Sequence, residues 1–580
     1  MAEISGGALP PVPDDLTIPQ FMLDTHHVTR PVVKIPKPWY VDAATGRSLY
    51  ASEIRARVHG LANALHSRWH IGMVSCEVCL FSPNHIDYPG IIWAIHRLGA
   101  IVTAANPAYT AEELEHQLVT SKSKVIIAHP ANHPIALVAA TAAGIPPENI
   151  MLVDALPATA AAPYPTISAL ISEGLSAPQN YVEQRLKPGE GKTKLAFLSF
   201  SSGTTGKPKA VCISHYNMIA NVIQVAQRAT ETPFAVEADR VLRVDAVALG
   251  VLPFFHIFGL VVLVHFSVYY GMTLVVLPKF DLPEFLTSIQ RYRVSVIYVV
   301  PPMLVLMCKH PLVEKFDISS VRATLSGAAP LSSELTNLVA TKFPSLKHVG
   351  QGFGMTETCT VVSFPQTQMR LPTPGSSGRL VNGIIARVVK PDGSLAKFGE
   401  PGELVVRGPA MALGYLDNVE ATRETFRNGW VHTGDEVTIN QEGELFVVDR
   451  IKELIKVKGF QVAPAELEGH LLEHPDVSDV CVVPIPDEYR GEIPLAFVAL
   501  SAGAAERVKK NPALAREIKA SLVKYVADAK IDYKHLAGGV EFVDVIPKNP
   551  SGKLLRRVLR DRARLLQKEG KLSTQLKAKL

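Results

Sequence analysis

Apolar residues recur along this chain with two different spacings, and the alternation between them sets the first expectation about fold. Ser52 followed by Ile54, Val58, Leu61 and Leu65 has the three-to-four spacing of a helix face behind an N-cap residue, and residues 74–80 then read as a strand. Thr110 and Glu113 form a capping box that opens another helix, after which 124–128 is again strand-like. The run 294–300 is largely β-branched and apolar and stops at Pro301-Pro302. A short strand over 323–325 precedes a Gly-Ala turn and a helix beginning near Ser332. Strand and helix keep alternating. That predicts an α/β protein whose large N-terminal domain has packed, mostly parallel sheets covered by helices on both faces.

The texture changes after Asp449. A charged segment at 450–458 leads to a helix starting near Pro464, strands at 480–483 and 495–500, and a helix over 516–526. The expectation is a core over 1–449 followed by a small α+β domain over 450–580. Segment 246–278 carries no charged residue and is long enough to raise the question of a membrane span. Pro253, His256, His265 and Gly271 interrupt it, so two buried strands flanking a buried helix are expected, with no transmembrane segment.

Composition excludes the disordered and fibrous classes: 47% of 580 residues are hydrophobic and 19% charged. The net charge of +5 is weak but uneven, because 551–580 holds ten Lys and Arg against Asp561 and Glu569, a net +8. Such a run is a solvated helix face or an attractor of polyanions, and nucleic acid is not expected as a partner. The six cysteines are scattered, and the close pair Cys76 and Cys79 has no second pair with which to build a zinc site. This usage, with no secretory pattern over 1–20, leads to the expectation of an intracellular protein.

The chemistry begins at Leu198-Ser-Phe-Ser-Ser-Gly-Thr-Thr-Gly-Lys-Pro-Lys-Ala-Val211, a loop rich in Ser, Thr and Gly directly after an apolar strand. Glycines let backbone approach a phosphate, and amides and hydroxyls donate to its oxygens. It is not a Walker loop, since only two residues separate Gly203 from Gly206 and Pro208 stands where that motif has Ser or Thr. Further motifs follow in order: Leu252-Pro-Phe-Phe-His-Ile-Phe-Gly259, Ser326-Gly-Ala-Ala-Pro330, Gln351-Gly-Phe-Gly-Met-Thr-Glu357, Trp430-Val-His-Thr-Gly-Asp435, the stretch from Val448 through Gln461, and Pro547-Lys-Asn-Pro-Ser-Gly-Lys553. Together they resemble the adenylate-forming superfamily, in particular acyl-CoA synthetases of the 4-coumarate-CoA ligase type.

That resemblance implies an ATP-dependent acid:thiol ligase with ATP, Mg2+ and CoA as cofactors and a small carboxylic acid as substrate. Joining a carboxylate to an α-phosphate brings two anions together, so cations must converge. By the family pattern Lys553 binds the carboxylate and α-phosphate oxygens, and Thr205 and Glu357 help hold Mg2+. Ser201, Ser202, Gly203, Thr204, Thr205, Gly206 and Lys209 cradle the pyrophosphate. Nucleotide contacts are implied for Gln351, Gly352, Phe353 and Thr356. Phe353 stacks on the adenine, and residues from Ala328 to Pro330 wall its other side. Asp435 accepts from both ribose hydroxyls, assisted by Arg450. His256 sits beside the acyl carboxylate, with 254–258 forming an apolar acyl tunnel.

The second half-reaction presents a thiol to the adenylate. Relatives rotate the small domain about a hinge, here Lys452, so that Lys553 leaves and the segment with Lys456, Lys458, Gly459 and Gln461 enters, Gly459 lining the pantetheine channel. Three positions depart from the pattern: Lys207, Ala210, and Phe258 where plant coumarate ligases carry Tyr. Ala328, Gly352 and Phe258 leave room for an aromatic or medium-chain acyl group. Ala578-Lys579-Leu580 approximates the Ser-Lys-Leu address read by the peroxisomal import receptor, so the peroxisome, otherwise the cytoplasm, is the expected location. Rival readings are an adenylation enzyme loading a carrier protein, a luciferase-type oxygenase, and a decayed nucleotide-binding module without catalysis.

Overall fold

The computed structural model describes residues 3–73, 76–154, 164–201, 208–231, 240–549 and 552–572. The β-branched apolar runs become the central strands of two sheets. One has the spatial order Ile150–Leu152, Val125–Ala128, Glu77–Phe81, Ile101–Ala105, Leu195–Ser201, Lys209–Ser214, parallel except for its last pair. The other runs His348–Gln351, Ala323–Ser326, Val296–Val299, Val247–Gly250, Thr273–Val276, Tyr40–Asp42, Ser48–Leu49, again parallel except at its last pair. Strands buried on both faces read as continuous apolar runs, which is why the sequence pattern finds them.

A third sheet is antiparallel throughout and includes Phe353–Met355, Thr360–Phe364, Gly402–Arg407, Trp430–Ile439 and Glu444–Arg450. Its Trp430–Ile439 strand alternates buried and half-buried positions, the signature of a sheet with one covered face. The small unit is a five-stranded sheet built only from Ile455–Val457, Phe460–Val462, Val477–Asp487, Gly491–Leu500 and Val540–Phe542, with helices Pro464–Leu471, Leu514–Ala529 and Arg556–Lys568. Arg450 still belongs to the large antiparallel sheet, one residue past the boundary that the sequence texture marks.

Local expectations hold with two adjustments. The capping box forms: Glu113 N–H donates to Thr110 Oγ1 at 3.3 Å and Thr110 N–H to the Glu113 carboxylate at 2.8 Å. Ser52 is not an N-cap, because helix Ala51–Trp69 starts one residue earlier behind Tyr50. Pro301-Pro302 does end the preceding strand, and it also opens helix Pro301–Lys309, where a missing N–H costs nothing. Segment 246–278 is a strand, the π-helix Gly259–Ser267 and a second strand, all packed inside, and among the described residues no helix is long and apolar enough to cross a membrane.

Buried imidazoles stud this interior. Trp93 Nε1 donates to His265 Nε2 at 3.0 Å and His265 Nδ1 meets the Leu260 carbonyl at 2.7 Å, which satisfies a neutral ring completely. Burial pushes His265 and His348 down to about 4 and His96 to about 3. Unfolded, each titrates near 6.5, so the unfolded chain binds more protons below that pH and stability is lost as pH falls from 6.5 toward 4. Asp435 and Asp449, raised by burial to about 6, oppose this, because their contribution is present at low pH and lost as pH rises through about 6. The histidines are more numerous and more strongly shifted. Urea unfolding is therefore expected to show a lower midpoint at pH 4.5 than at pH 7.5; equal midpoints would contradict the neutral-histidine core.

Candidate active site

A cavity of about 870 Å3 opens where the carboxyl ends of strands Leu195–Ser201, Val296–Val299 and Ala323–Ser326 face the antiparallel sheet and the small domain. Carboxyl ends are where open α/β sheets leave room for ligands, since helices cover the faces and the connecting loops diverge there. Its wall combines Ser201, Lys209, His256, Phe258, Ala328, Gly352, Phe353, Thr356 and Glu357 from the large domain with Lys452 and Lys553 beyond it.

Lys553 reaches the cavity on a tight loop: its N–H donates to Asn549 Oδ1 at 2.9 Å, and Asn549 N–H donates back to the Lys553 carbonyl at 2.9 Å. Burial and the Arg450 guanidinium hold its ammonium below the ordinary lysine range, while Glu453, Asp435 and Glu357 pull the other way. A half-buried cation within electrostatic reach of three carboxylates is poised for an anion that brings its own charge. Glu357 is itself buried and accepts from Tyr415 Oη at 2.8 Å, which orients the carboxylate and leaves its other oxygen free of that bond.

Asp435 and Arg450 are cross-strand neighbours in the antiparallel sheet, paired through Arg450 Nε and Asp435 Oδ1 at 2.8 Å. The other carboxylate oxygen, Oδ2, is buried and has no hydrogen-bond partner among the described residues. Such an acceptor costs about 1–3 kcal/mol if nothing meets it, so a donor from a ligand is the natural complement. Asp435 does not itself line the cavity in this pose, but its neighbour Gly434 and its partner Arg450 do, and Phe353 with the left-handed Ala328 (φ 68°) stands on the same wall.

The apolar end of the cavity is lined by Phe255, Ile257, Phe258, Val262, Tyr298 and Leu325, with Phe258 edge-on to Tyr298 at 6.4 Å. Phe254 is not part of this wall; it is fully buried and packs edge-on against Tyr88. His256 lies between the apolar end and Lys553. Burial first, and the Lys553 ammonium second, lower it to about 4, so the ring is neutral. A neutral imidazole there can donate or accept a hydrogen bond without adding charge.

Comparison with known proteins identifies this arrangement. Residues 32–416 match the family described as AMP-binding enzyme, and residues 466–553 match the AMP-binding enzyme C-terminal domain. The chain belongs to the AMP-binding enzyme family. Its relatives include 4-coumarate-CoA ligase 2 of Narcissus pseudonarcissus, 36% identical over 557 residues that cover 94% of this chain and 93% of that protein. 4-Coumarate-CoA ligase 5 of Oryza sativa subsp. japonica is 36% identical over 530 residues, 90% of each chain. Among solved structures, the anthranilate CoA ligase AuaEII in complex with anthranoyl-AMP superposes with a TM-score of 0.80 at 22% identity, over 96% of this chain and 99% of that one. ATP-bound MatB from Rhodopseudomonas palustris gives 0.76 at 24% identity, over 94% and 99%. At these identities the superpositions establish a shared fold.

Within the AMP-binding enzyme fold most residues singled out from the sequence converge, but not all. Ser202, Gly203, Thr204, Thr205 and Gly206 lie outside the described residues, as do Lys207 and Ala578-Lys579-Leu580. Gln351 does not reach the cavity: its side chain accepts from Leu331 N–H at 2.7 Å and donates to the Leu331 and Gly375 carbonyls at 3.3 Å, so it braces the loop after Ala328. Ala329 and Pro330 face a neighbouring cleft. Lys456, Lys458, Gly459 and Gln461 are exposed on the Ile455–Val457/Phe460–Val462 hairpin, and none lines the cavity in this pose. Gly459 is required here for a reason other than channel width. It follows Lys458 (φ 49°) with φ 84° in a two-residue turn, a pair of left-handed residues that glycine makes affordable.

Tyr415 is the functional residue that motif reading missed. It stands 58 positions from Glu357 in sequence, and only the folded sheet brings its hydroxyl to that carboxylate, with Lys209 Nζ over its ring at 5.2 Å. Asp435→Asn keeps the shape and removes the charge. AMP affinity by isothermal titration calorimetry is then expected to fall about ten- to a hundred-fold, the loss of about 1.5–3 kcal/mol from one charged hydrogen bond. An unchanged Kd would move the ribose away from Asp435.

Proposed function

We propose that this chain is an ATP-dependent acid:CoA ligase acting on a carboxylic acid with an aromatic or medium-chain acyl group. In the first step the acid's carboxylate oxygen attacks the α-phosphorus of ATP and pyrophosphate leaves, giving an acyl-adenylate. In the second the sulfur of CoA attacks the acyl carbon, AMP leaves, and the thiol proton passes to solvent.

The observation that carries this reading is the buried Lys553 ammonium sharing one cavity with Glu357 and His256, close enough to feel Asp435, Arg450 and Glu357 electrostatically. Two anions meet in the adenylation step, and a preorganised cation removed from water stabilises the charge that builds on the α-phosphate. Asp435 and Arg450 hold the ribose, Phe353 and Ala328 the base, and neutral His256 orients the acyl carboxylate. Among the described residues no group of three His, Cys, Asp or Glu is set to hold a metal. A hard ion that keeps mostly phosphate and water oxygens needs few protein ligands: Glu357 would give it a carboxylate, and Thr205, which lies outside the described residues, is the hydroxyl ligand that the sequence resemblance implies. When bound, Mg2+ would neutralise the phosphate oxygens.

The apolar end of the cavity supports an aromatic or medium-chain acid. Phe258 brings no hydroxyl to it, whereas the buried Tyr298 beside it brings one. At Gly327 an added Cβ would stand 2.8 Å from the Phe258 ring.

Two outcomes test the proposal. Lys553→Ala should abolish pyrophosphate release from free acid and ATP while leaving thioester formation from synthetic acyl-AMP partly intact; equal loss of both steps would refute the role given to Lys553. Gly327→Val should cut kcat/KM for aromatic acids by at least ten-fold, about 1.4 kcal/mol, relative to acetate in a panel of acids. An unchanged ranking would put the acyl group elsewhere.

A further inference from the structure

The small domain must be held in the pose that buries Lys553, yet must also let go. Helix Pro464–Leu471 carries that contact, and the large domain grips it at both ends. At its start the N-cap residue, Ala463, has no capping side chain. Instead Asp449, in the last strand of the large antiparallel sheet, accepts from Ala465 N–H at 3.2 Å through Oδ2. At its finish Lys309, the last residue of helix Pro301–Lys309, donates from Nζ to the Leu472 carbonyl at 2.7 Å and to the Val477 carbonyl at 2.9 Å. Between the two grips the helix approaches so closely that a Cβ on Gly469 would stand 2.9 Å from Ser332 Cβ.

The signs of the two grips are those the helix selects. Free N–H groups leave positive potential at its start and free carbonyls leave negative potential at its finish, so a carboxylate and an ammonium are attracted to opposite ends. Both charges sit on the large domain and both partners on the small one, on opposite sides of Lys452. We infer that Lys309, with Asp449, is a positioning residue that clamps helix Pro464–Leu471 in the adenylation pose and must release it before the thiol step. This rests on the two-step reading above. Lys309 touches neither acid nor nucleotide; it acts through the position of Lys553.

The clamp predicts a split between half-reactions that a purely structural lysine would not give. In the full-length chain, Lys309→Met should lower adenylate formation, measured as pyrophosphate release without CoA, by about ten-fold or more, as expected from losing both charge-assisted hydrogen bonds. Transfer from presynthesised acyl-AMP to CoA should stay at the wild-type rate or rise, and Lys309→Arg should recover most of the adenylation. Equal loss in both steps, or no loss in either, overturns the clamp. A second readout needs no activity. Trypsin should cut the exposed Lys452 hinge several-fold faster in Lys309→Met than in the wild type, and equal cutting rates overturn the clamp whichever acid is used. If hinge cutting differs but the wild-type chain forms no adenylate from any acid in the panel, the ligase reading fails and the clamp stands.

Discussion

A lysine ammonium taken out of water loses its hydration and survives as a cation only where negative groups replace it. Lys553 is such a lysine, and the negative groups it meets belong to two different bodies. Asp435 and Glu357 come from the large domain, while Glu453 sits just beyond the hinge residue. The charge balance of the cavity is therefore set by the two domains together. Arg450 limits the balance by adding a second cation, paired to Asp435, which together with burial holds the Lys553 ammonium below the ordinary lysine range.

Docking in turn draws on contacts at both ends of one helix. A glycine at the crossing of helix Pro464–Leu471 with Ser332, a carboxylate at one helix end and an ammonium at the other meet there. Charged contacts of this kind exchange readily for water, unlike a broad apolar seam, as the clamp inferred above requires of a joint that opens. Within the small domain the opposite choice is made. Arg556 is buried, donates to Glu453 at 3.0 Å and pairs with both oxygens of Glu468, which ties the hinge segment to the last helix so that the unit moves as one piece.

The large domain contributes rigidity on its own account. Its two parallel sheets bring the carboxyl ends of their strands to a common edge, and the antiparallel sheet closes the third side with Asp435 and Arg450 locked by strand register. Neutral histidines run from the deep core at His265 to the cavity at His256, so the acyl end carries no cation of its own and charge is concentrated at Lys553 and Arg450.

The sequence by itself determined the elements and the ingredients. Periodicity placed the parallel strands, the Thr110–Glu113 box and helix Pro464–Leu471, because each depends on neighbours within a few residues. The ordered motifs supplied Lys553, Asp435, Arg450, Glu357 and His256, because backbone-approach glycines and charged side chains at fixed offsets leave a local trace. Tertiary structure alone decided what meets what. Tyr415 orients Glu357, Gln351 turns away to brace a loop, Asp435 keeps one oxygen unpartnered, and Lys309 reaches two carbonyls more than 160 residues away. None of these leaves a local trace, since a hydrogen bond across sheets is fixed by strand register and domain pose rather than by spacing along the chain.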